Sequence, residues 1–251
     1  MEKITSRKNT YISHIRALAK DADYRYTSRE FLCDGMKLLQ EAVSFGAEIT
    51  SVLWKDDPSD RFSFSDSVRQ YFVPEELFSY ASPMANSPGP VFTVRIPSAK
   101  SGRILRNALI LENVQDPGNV GTVIRTANAF GMDAVILVGA CADVYSPKTA
   151  RSTMGAIFRQ NILRTDLQGL TDILTKSALP LYGAVLSPRA VSILEKDISR
   201  SAVAVGSEGN GLSRELIELC DGEIIIPMEP DSESLNAAVA ASVIMWEMRG
   251  R

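Results

Sequence analysis

The chain has 251 residues, 45% hydrophobic and 23% charged, which is ordinary globular composition and enough length for one large domain or two modest ones. No apolar run reaches the roughly 20 residues of a membrane span, and the polar start MEKITSRKNTYISHIRALAK lacks the apolar core of a signal peptide, so a cytosolic protein is expected. Cys33, Cys141 and Cys220 are odd in number and show no CxxC spacing, which reads as isolated buried thiols rather than a disulfide frame or a zinc site, and His14 is the only histidine available to a Ser-His-Asp or Cys-His mechanism.

In chain order, the net charge of −3 hides local basic stretches. Lys3, Arg7, Lys8, Arg16, Lys20, Arg25 and Arg29 crowd the first thirty residues, and a helix is expected there. Residues 31–95 read as a small α/β unit. CDGMKLLQEAVSFG has helical spacing and stops at Gly46. EITSVLW is a strand, DDPSDRFSFSD a loop, VPEELFSYA a short helix opened by Pro74, and PVFTVRI a final strand. PSAKSGRILR, with Pro97 and Gly102, is the expected linker, which puts the domains at 1–95 and 107–251 with 96–106 between them. Arg95, Lys100, Arg103 and Arg106 follow one another without an acid, as do Lys148, Arg151, Arg159 and Arg164. Such patches are compatible with phosphate contacts and equally with solvated surface.

From Asn107 on, the pattern alternates strictly. ALILEN, DAVILV, LPLYGAVL, SAVAVGS and GEIIIPM are apolar runs. Helices are expected from about Asn119, over Lys148–Phe158 and Leu167–Ser177, and over Ser213–Cys220 and Leu235–Arg249. Strands apolar on both faces and separated by helices form a parallel sheet covered on both sides. Ligands of such sheets sit beyond the carboxyl ends of the strands. That directs attention to three loops. In ENVQDPGNVGTVIRTA, Val120, Val123, Ile124, Ala127 and Phe130 share a helical stripe, and Arg125 points nearly opposite its middle. Read alone, Asn119 is an N-cap and Arg125 a solvated arginine. In VGSEGNGLS, glycines at 206, 209 and 211 let the backbone approach a ligand, while Glu208 would repel a phosphate; a plain turn fits as well. In IPMEPDSESLNAAVAAS, Ser234 alone reads as a cap, and the alanines after it suit a helix closely approached by another backbone.

In this order, the loops resemble the three signature motifs of the SpoU family of RNA ribose methyltransferases, of the SPOUT class and similar to TrmH. DPGNVGTVIRTANAFG matches the first motif, GSEGNGLS the second and IPMEPDSESLNAAVA the third, and SPKTARSTMGAIFR resembles the segment between the first two. DGMKLLQEAVSFGAEITSVLW resembles the small L30e-like substrate-binding domain that precedes this catalytic domain. The resemblance implies methyl transfer from S-adenosylmethionine to a ribose 2′-hydroxyl of rRNA or tRNA, a parallel-sheet SPOUT α/β fold with a C-terminal trefoil knot, a homodimer, structured RNA as partner, and neither metal nor membrane. It assigns Arg125, Asn119, Ser234 and Asn236 to the reaction, with Asn119 orienting Arg125 or the ribose. It assigns Gly206, Ser207, Glu208, Gly209, Ile226, Met228 and Leu235 to the cofactor. Thr153 stands where serine is more usual and Asp34 where glutamate is; SPMANSPGP replaces a glutamine-glycine signature before the last strand of the small unit. Two rivals remain: a non-catalytic protein binding RNA or S-adenosylmethionine on the same fold, and a dinucleotide oxidoreductase, whose glycine fingerprint DPGNVG does not supply.

Overall fold

Apolar runs and capping residues set the elements. A computed structural model describes residues 2–55, 62, 64–98, 104–229 and 234–250. Most of the expected loop DDPSDRFSFSD, the middle of the expected linker and residues 230–233 of the third loop lie outside them. Contacts divide the chain into two units: Met1–Ser98 with Asp143–Phe158, and Ala99–Ala142 with Arg159–Arg251.

The first unit contains β1 (Glu2–Lys3), α1 (Thr10–Lys20), α2 (Ala22–Ser28), β2 (Glu30–Asp34), α3 (Met36–Ser44), β3 (Ile49–Trp54), β4 (Arg69–Phe72), α4 (Glu75–Ala81) and β5 (Val91–Arg95). Its five-stranded sheet has the order β1-β4-β3-β5-β2; β5 runs antiparallel to both neighbours, and the other pairs are parallel. Tyr11, Ile12, Ile15 and Leu18 form the buried stripe of α1, and the Asn9 side chain accepts the Tyr11 N–H at its start. That stripe packs with Leu32, Leu53 and Phe78. The sole histidine is held in place here: its ring nitrogens bond the Tyr24 hydroxyl and Glu30 Oε2, each at 2.9 Å.

The second unit begins with β6 (Ala108–Glu112), α5 (Pro117–Phe130) and β7 (Ala134–Val138). After α6 (Pro147–Ser152), which belongs to the first unit, come β8 (Ile162–Thr165), α7 (Leu167–Ser177), β9 (Leu181–Ala184), β10 (Val191–Ser192), β11 (Ala202–Val205), α8 (Arg214–Glu218), β12 (Gly222–Ile225) and α9 (Ala237–Met248). The strands pair in the order β10-β12-β9-β11-β6-β7-β8, every pair parallel. β6, β7 and β11 are buried throughout, so their sequences read as continuous apolar runs. The chain leaves β6 on one side toward β7 and β8 and later fills the other side, so the order reverses between β6 and β11. Ligands bind at such reversals.

Three expectations are corrected. The helix over Lys148–Phe158 stops at Ser152 and resumes only as a 3₁₀ turn, Ala156–Phe158. Met154 (φ 50°) and Gly155 (φ 93°) break it; a Cβ on Gly155 would stand 2.7 Å from Glu41 Cβ, so the close approach requires glycine. Asn119 is not the N-cap of α5: Asp116 is, its Oδ1 accepting the Asn119 N–H at 2.8 Å with Pro117 at the first helical position. Ser234 is not the cap of α9: Asn236 is, its Oδ1 accepting Ala238 N–H at 2.9 Å and Val239 N–H at 3.3 Å.

Candidate active site

The loops after β6, β11 and β12 meet because the strands end level. Val205 pairs with Leu111, and Ile224 with Ala184 of β9. The β11 loop folds tightly on itself. Gly211 N–H donates to Ser207 O at 2.9 Å, and a Cβ at Gly206 would stand 2.0 Å from the Gly211 carbonyl carbon. Only glycine fits there, whereas Gly209 faces open space. A buried carboxylate fastens the end of the loop. Glu112, 3% exposed at the end of β6, accepts the Ser213 N–H (2.7 Å) through Oε2 and the Ser213 hydroxyl (2.6 Å) through Oε1. The second motif is therefore tied to β6, the strand that leads into the first.

Beyond these strand ends lies a cleft of about 680 Å³, within the size of ordinary ligand pockets. Gly206, Ser207, Glu208, Gly209, Ile226, Met228 and Leu235 all line it, and so does Ser234. Ala184, the last residue of β9, and Val185 and Leu186 beyond it form a further wall that is not among the sequence-predicted site residues. The signal was present: LPLYGAVL is a strand of the same sheet, and its carboxyl end faces the same way. The lining combines apolar side chains with a glycine turn that is exposed from Glu208 to Gly211. That donor set suits a nucleoside bearing an aliphatic arm: flat apolar surface for the base, main-chain groups for its edge. The chemistry of the lining therefore fits S-adenosylmethionine.

One carboxylate gathers the three motifs. Glu208 Oε1 accepts from Asn119 Nδ2 in a short hydrogen bond, from Asn236 Nδ2 at 3.3 Å and from Ala237 N–H at 3.4 Å. Asn236 Nδ2 also donates to Asn119 Oδ1 at 3.2 Å. Glu208 thus lies at the start of α9, where unpaired amides favour negative charge. Of the two roles expected for Asn119, orienting Arg125 or orienting the ribose, the first has no hydrogen bond behind it among the described residues. The Asn119 side chain is engaged by Glu208 and Asn236, and Arg125 stands roughly 9 Å further along α5. Arg125 is exposed and has no hydrogen bond or ion pair among the described residues. Ser234 is exposed at the cleft, without a hydrogen bond among the described residues.

The thiols offer no nucleophile. Burial raises all three: Cys33 and Cys141 lie above the usual thiol range, and Cys220, with Asp221 and Glu223 adding to the effect, is pushed up to about 12. No group of three His, Cys, Asp or Glu residues able to hold a metal ion occurs among the described residues. No helix among them is long and apolar enough to cross a membrane.

Known proteins share both the sequence and the fold. The profile of the SpoU rRNA Methylase family matches residues 106–246. The 23S rRNA (guanosine(2553)-2′-O)-methyltransferase RlmP of Bacillus subtilis is 31% identical over 250 residues, spanning 100% of both chains. The AdoMet-bound rRNA methyltransferase of Sinorhizobium meliloti superimposes with a TM-score of 0.88 at 27% identity, covering 99% of this chain and 97% of that one. The SpoU methyltransferase AviRb of Streptomyces viridochromogenes, in complex with AdoMet, gives 0.83 at 25% identity over 96% of this chain and 98% of that one. Motif order, sheet topology and full-length similarity agree: the chain belongs to the SpoU rRNA methylase family.

Proposed function

We propose that this protein transfers the methyl group of S-adenosylmethionine to a ribose 2′-hydroxyl of 23S rRNA. The observation that carries this reading is the convergence of the three motifs on Glu208, which lines the cleft and accepts hydrogen bonds from Asn119 and Asn236. The RlmP relative, similar over its whole length, favours 23S rRNA over tRNA. A cytoplasmic location and the C-terminal trefoil knot belong to the same reading.

The cofactor, when bound, supplies an electrophilic methyl sulfonium. The chain's own work is to hold it, align the attacking oxygen and manage one proton. The Gly206–Gly209 turn offers main-chain donors and acceptors, while Ile226, Met228 and Leu235 offer apolar contact. Glu208, fixed by three N–H donors, holds Asn119 and Asn236 as a rigid polar wall, and Ser234 extends it. Arg125 does electrostatic work. A guanidinium keeps its proton to above about pH 12, so it serves the reaction by holding phosphate and stabilising the developing alkoxide.

The reading includes a homodimer. α9 is apolar nearly all round, yet Val239, Val243 and Trp246 are exposed on one stripe, with the Phe130 ring of α5 edge-on to Trp246 at 5.5 Å. A helix apolar on every face is normally buried, and a second copy presenting the same stripe would cover it. Arg125, on the outer side of α5, is then placed to serve the partner's cleft.

The test is incubation with labelled S-adenosylmethionine and unmodified 23S rRNA transcript, followed by mapping of 2′-O-methyl sites. A single stoichiometric mark is expected. Cofactor binding without transfer to any rRNA or tRNA would favour the non-catalytic alternative.

A further inference from the structure

The first unit has a cavity of its own, about 290 Å³. Phe31 of β2, Val94 of β5, and Ile157 and Phe158 of the 3₁₀ turn give it an apolar lining. The Phe31 ring lies 5.0 Å from Tyr145 and 6.4 Å from Phe158, so an aromatic cluster backs the cavity. Phe45, the residue that ends α3, contributes a half-exposed ring.

Polar groups border these rings. Arg95 stands between Glu30 (3.5 Å) and Glu48 (3.4 Å), which balance its charge and still leave edge donors and acceptors. Arg29 differs: it is exposed, has no ion pair among the described residues, and holds a left-handed backbone (φ 56°) that L side chains seldom adopt. The chain runs from Arg95 to Arg106 without an acid.

We propose that this cavity takes one unpaired nucleobase of the RNA substrate. The base stacks on Phe45 and Phe158, backed by buried Phe31, its edge meets Glu48 and Arg95, and the adjoining phosphate meets Arg29. Aromatic rings beside an uncompensated cation are what single-stranded RNA recognition uses, and a space this small admits one flat ring system rather than a helix or strand. The inference rests on the reading that the protein acts on RNA. It adds a grip on the substrate outside the methyl-transfer cleft.

Ala47 lines the cavity and takes no part in the cleft. Ala47→Trp, which fills the space, is expected to raise KM for unmodified 23S rRNA transcript about ten-fold, the loss of one stacked base. The kcat and S-adenosylmethionine affinity should stay within about two-fold, since the cofactor cleft is built from other residues. Arg29→Gln, at an exposed position, should raise KM roughly three-fold with a shallower salt dependence. Ultraviolet irradiation of the wild-type complex should attach nucleotides to peptides containing Phe45 or Phe158. Unchanged KM in both variants, or attachment confined to other peptides, overturns the proposal. If Ala47→Trp lowers the melting temperature, Arg29→Gln and the attachment sites decide. If the wild type methylates no RNA, the proposed function fails and this site with it; if wild type and both variants methylate alike, only this site fails.

Discussion

The cleft of the second unit and the cavity of the first are built by different means. The cleft adds to its apolar side chains a rim set by main chain: parallel strands end level, a glycine turn folds on itself, and buried Glu112 anchors that turn through Ser213. The cavity is shaped by side chains brought from β2, the end of α3, β5 and the 3₁₀ turn. Main chain at a close approach, as at Gly206, admits no side chain but is indifferent to most trimming; a side-chain cavity is the reverse. A site for a chemically invariant donor suits the first construction, and a site for a variable RNA the second.

Perturbations of widely different size would sharpen or break this contrast. The largest belongs to the first unit, whose inserted segment is tied by charge. Arg25, 4% exposed, donates from Nε to Asp143 Oδ2 at 2.8 Å, and from NH1 to Leu18 O at 2.6 Å. Asp143→Ala leaves that guanidinium buried and unpaired and should cost about 3–5 kcal/mol of stability, read by chemical denaturation. A loss below about 1 kcal/mol would show that side-chain ties matter less in this unit than the contrast requires.

Arg125→Ala comes next. It should lower turnover roughly 100- to 1000-fold, as removal of a transition-state donor does, while calorimetry finds cofactor affinity nearly unchanged. Wild-type turnover on the true RNA would refute its role. Gly209→Phe tests the main-chain cleft. Its Cβ meets nothing within 4 Å, so the fold should hold while the ring occupies the cleft and weakens the cofactor about ten-fold or more. An equal loss of RNA affinity would argue against placing the turn at the cofactor. The smallest effect is expected for Glu112→Gln, whose amide oxygen can keep the Ser213 N–H bond while the Ser213 hydroxyl loses its acceptor; about 0.5–1.5 kcal/mol follows from one lost hydrogen bond, visible as a lower melting temperature. No shift would mean that the turn holds itself.

The central strands β6, β7 and β11 were legible because burial on both faces leaves no polar alternation. Edge strands were not: β8 (ILRT) and β10 (VS) are partly exposed, and their mixed composition resembles loop. The helix from Lys148 is shorter than its spacing suggests, since Met154 and Gly155 adopt positive φ and Gly155 lies against Glu41, more than a hundred positions away, a contact no local window contains. The seven residues assigned from sequence to the cofactor line one cleft, because loops at the carboxyl ends of parallel strands must be neighbours. The wall after β9 belonged to the same logic, but its sequence carried no unusual residue to mark it.

By itself the sequence determined the parallel sheet, the three loops and the family, because local periodicity and motif spacing are written in consecutive residues. Only the tertiary structure decided that Asn119 and Asn236 converge on Glu208, that Asp116 and Asn236 are the caps, and that Asp143–Phe158 packs with the first unit. Those outcomes depend on which distant groups compete for the same hydrogen bonds and the same space. Folding settles that competition through pairings that no short window of sequence contains.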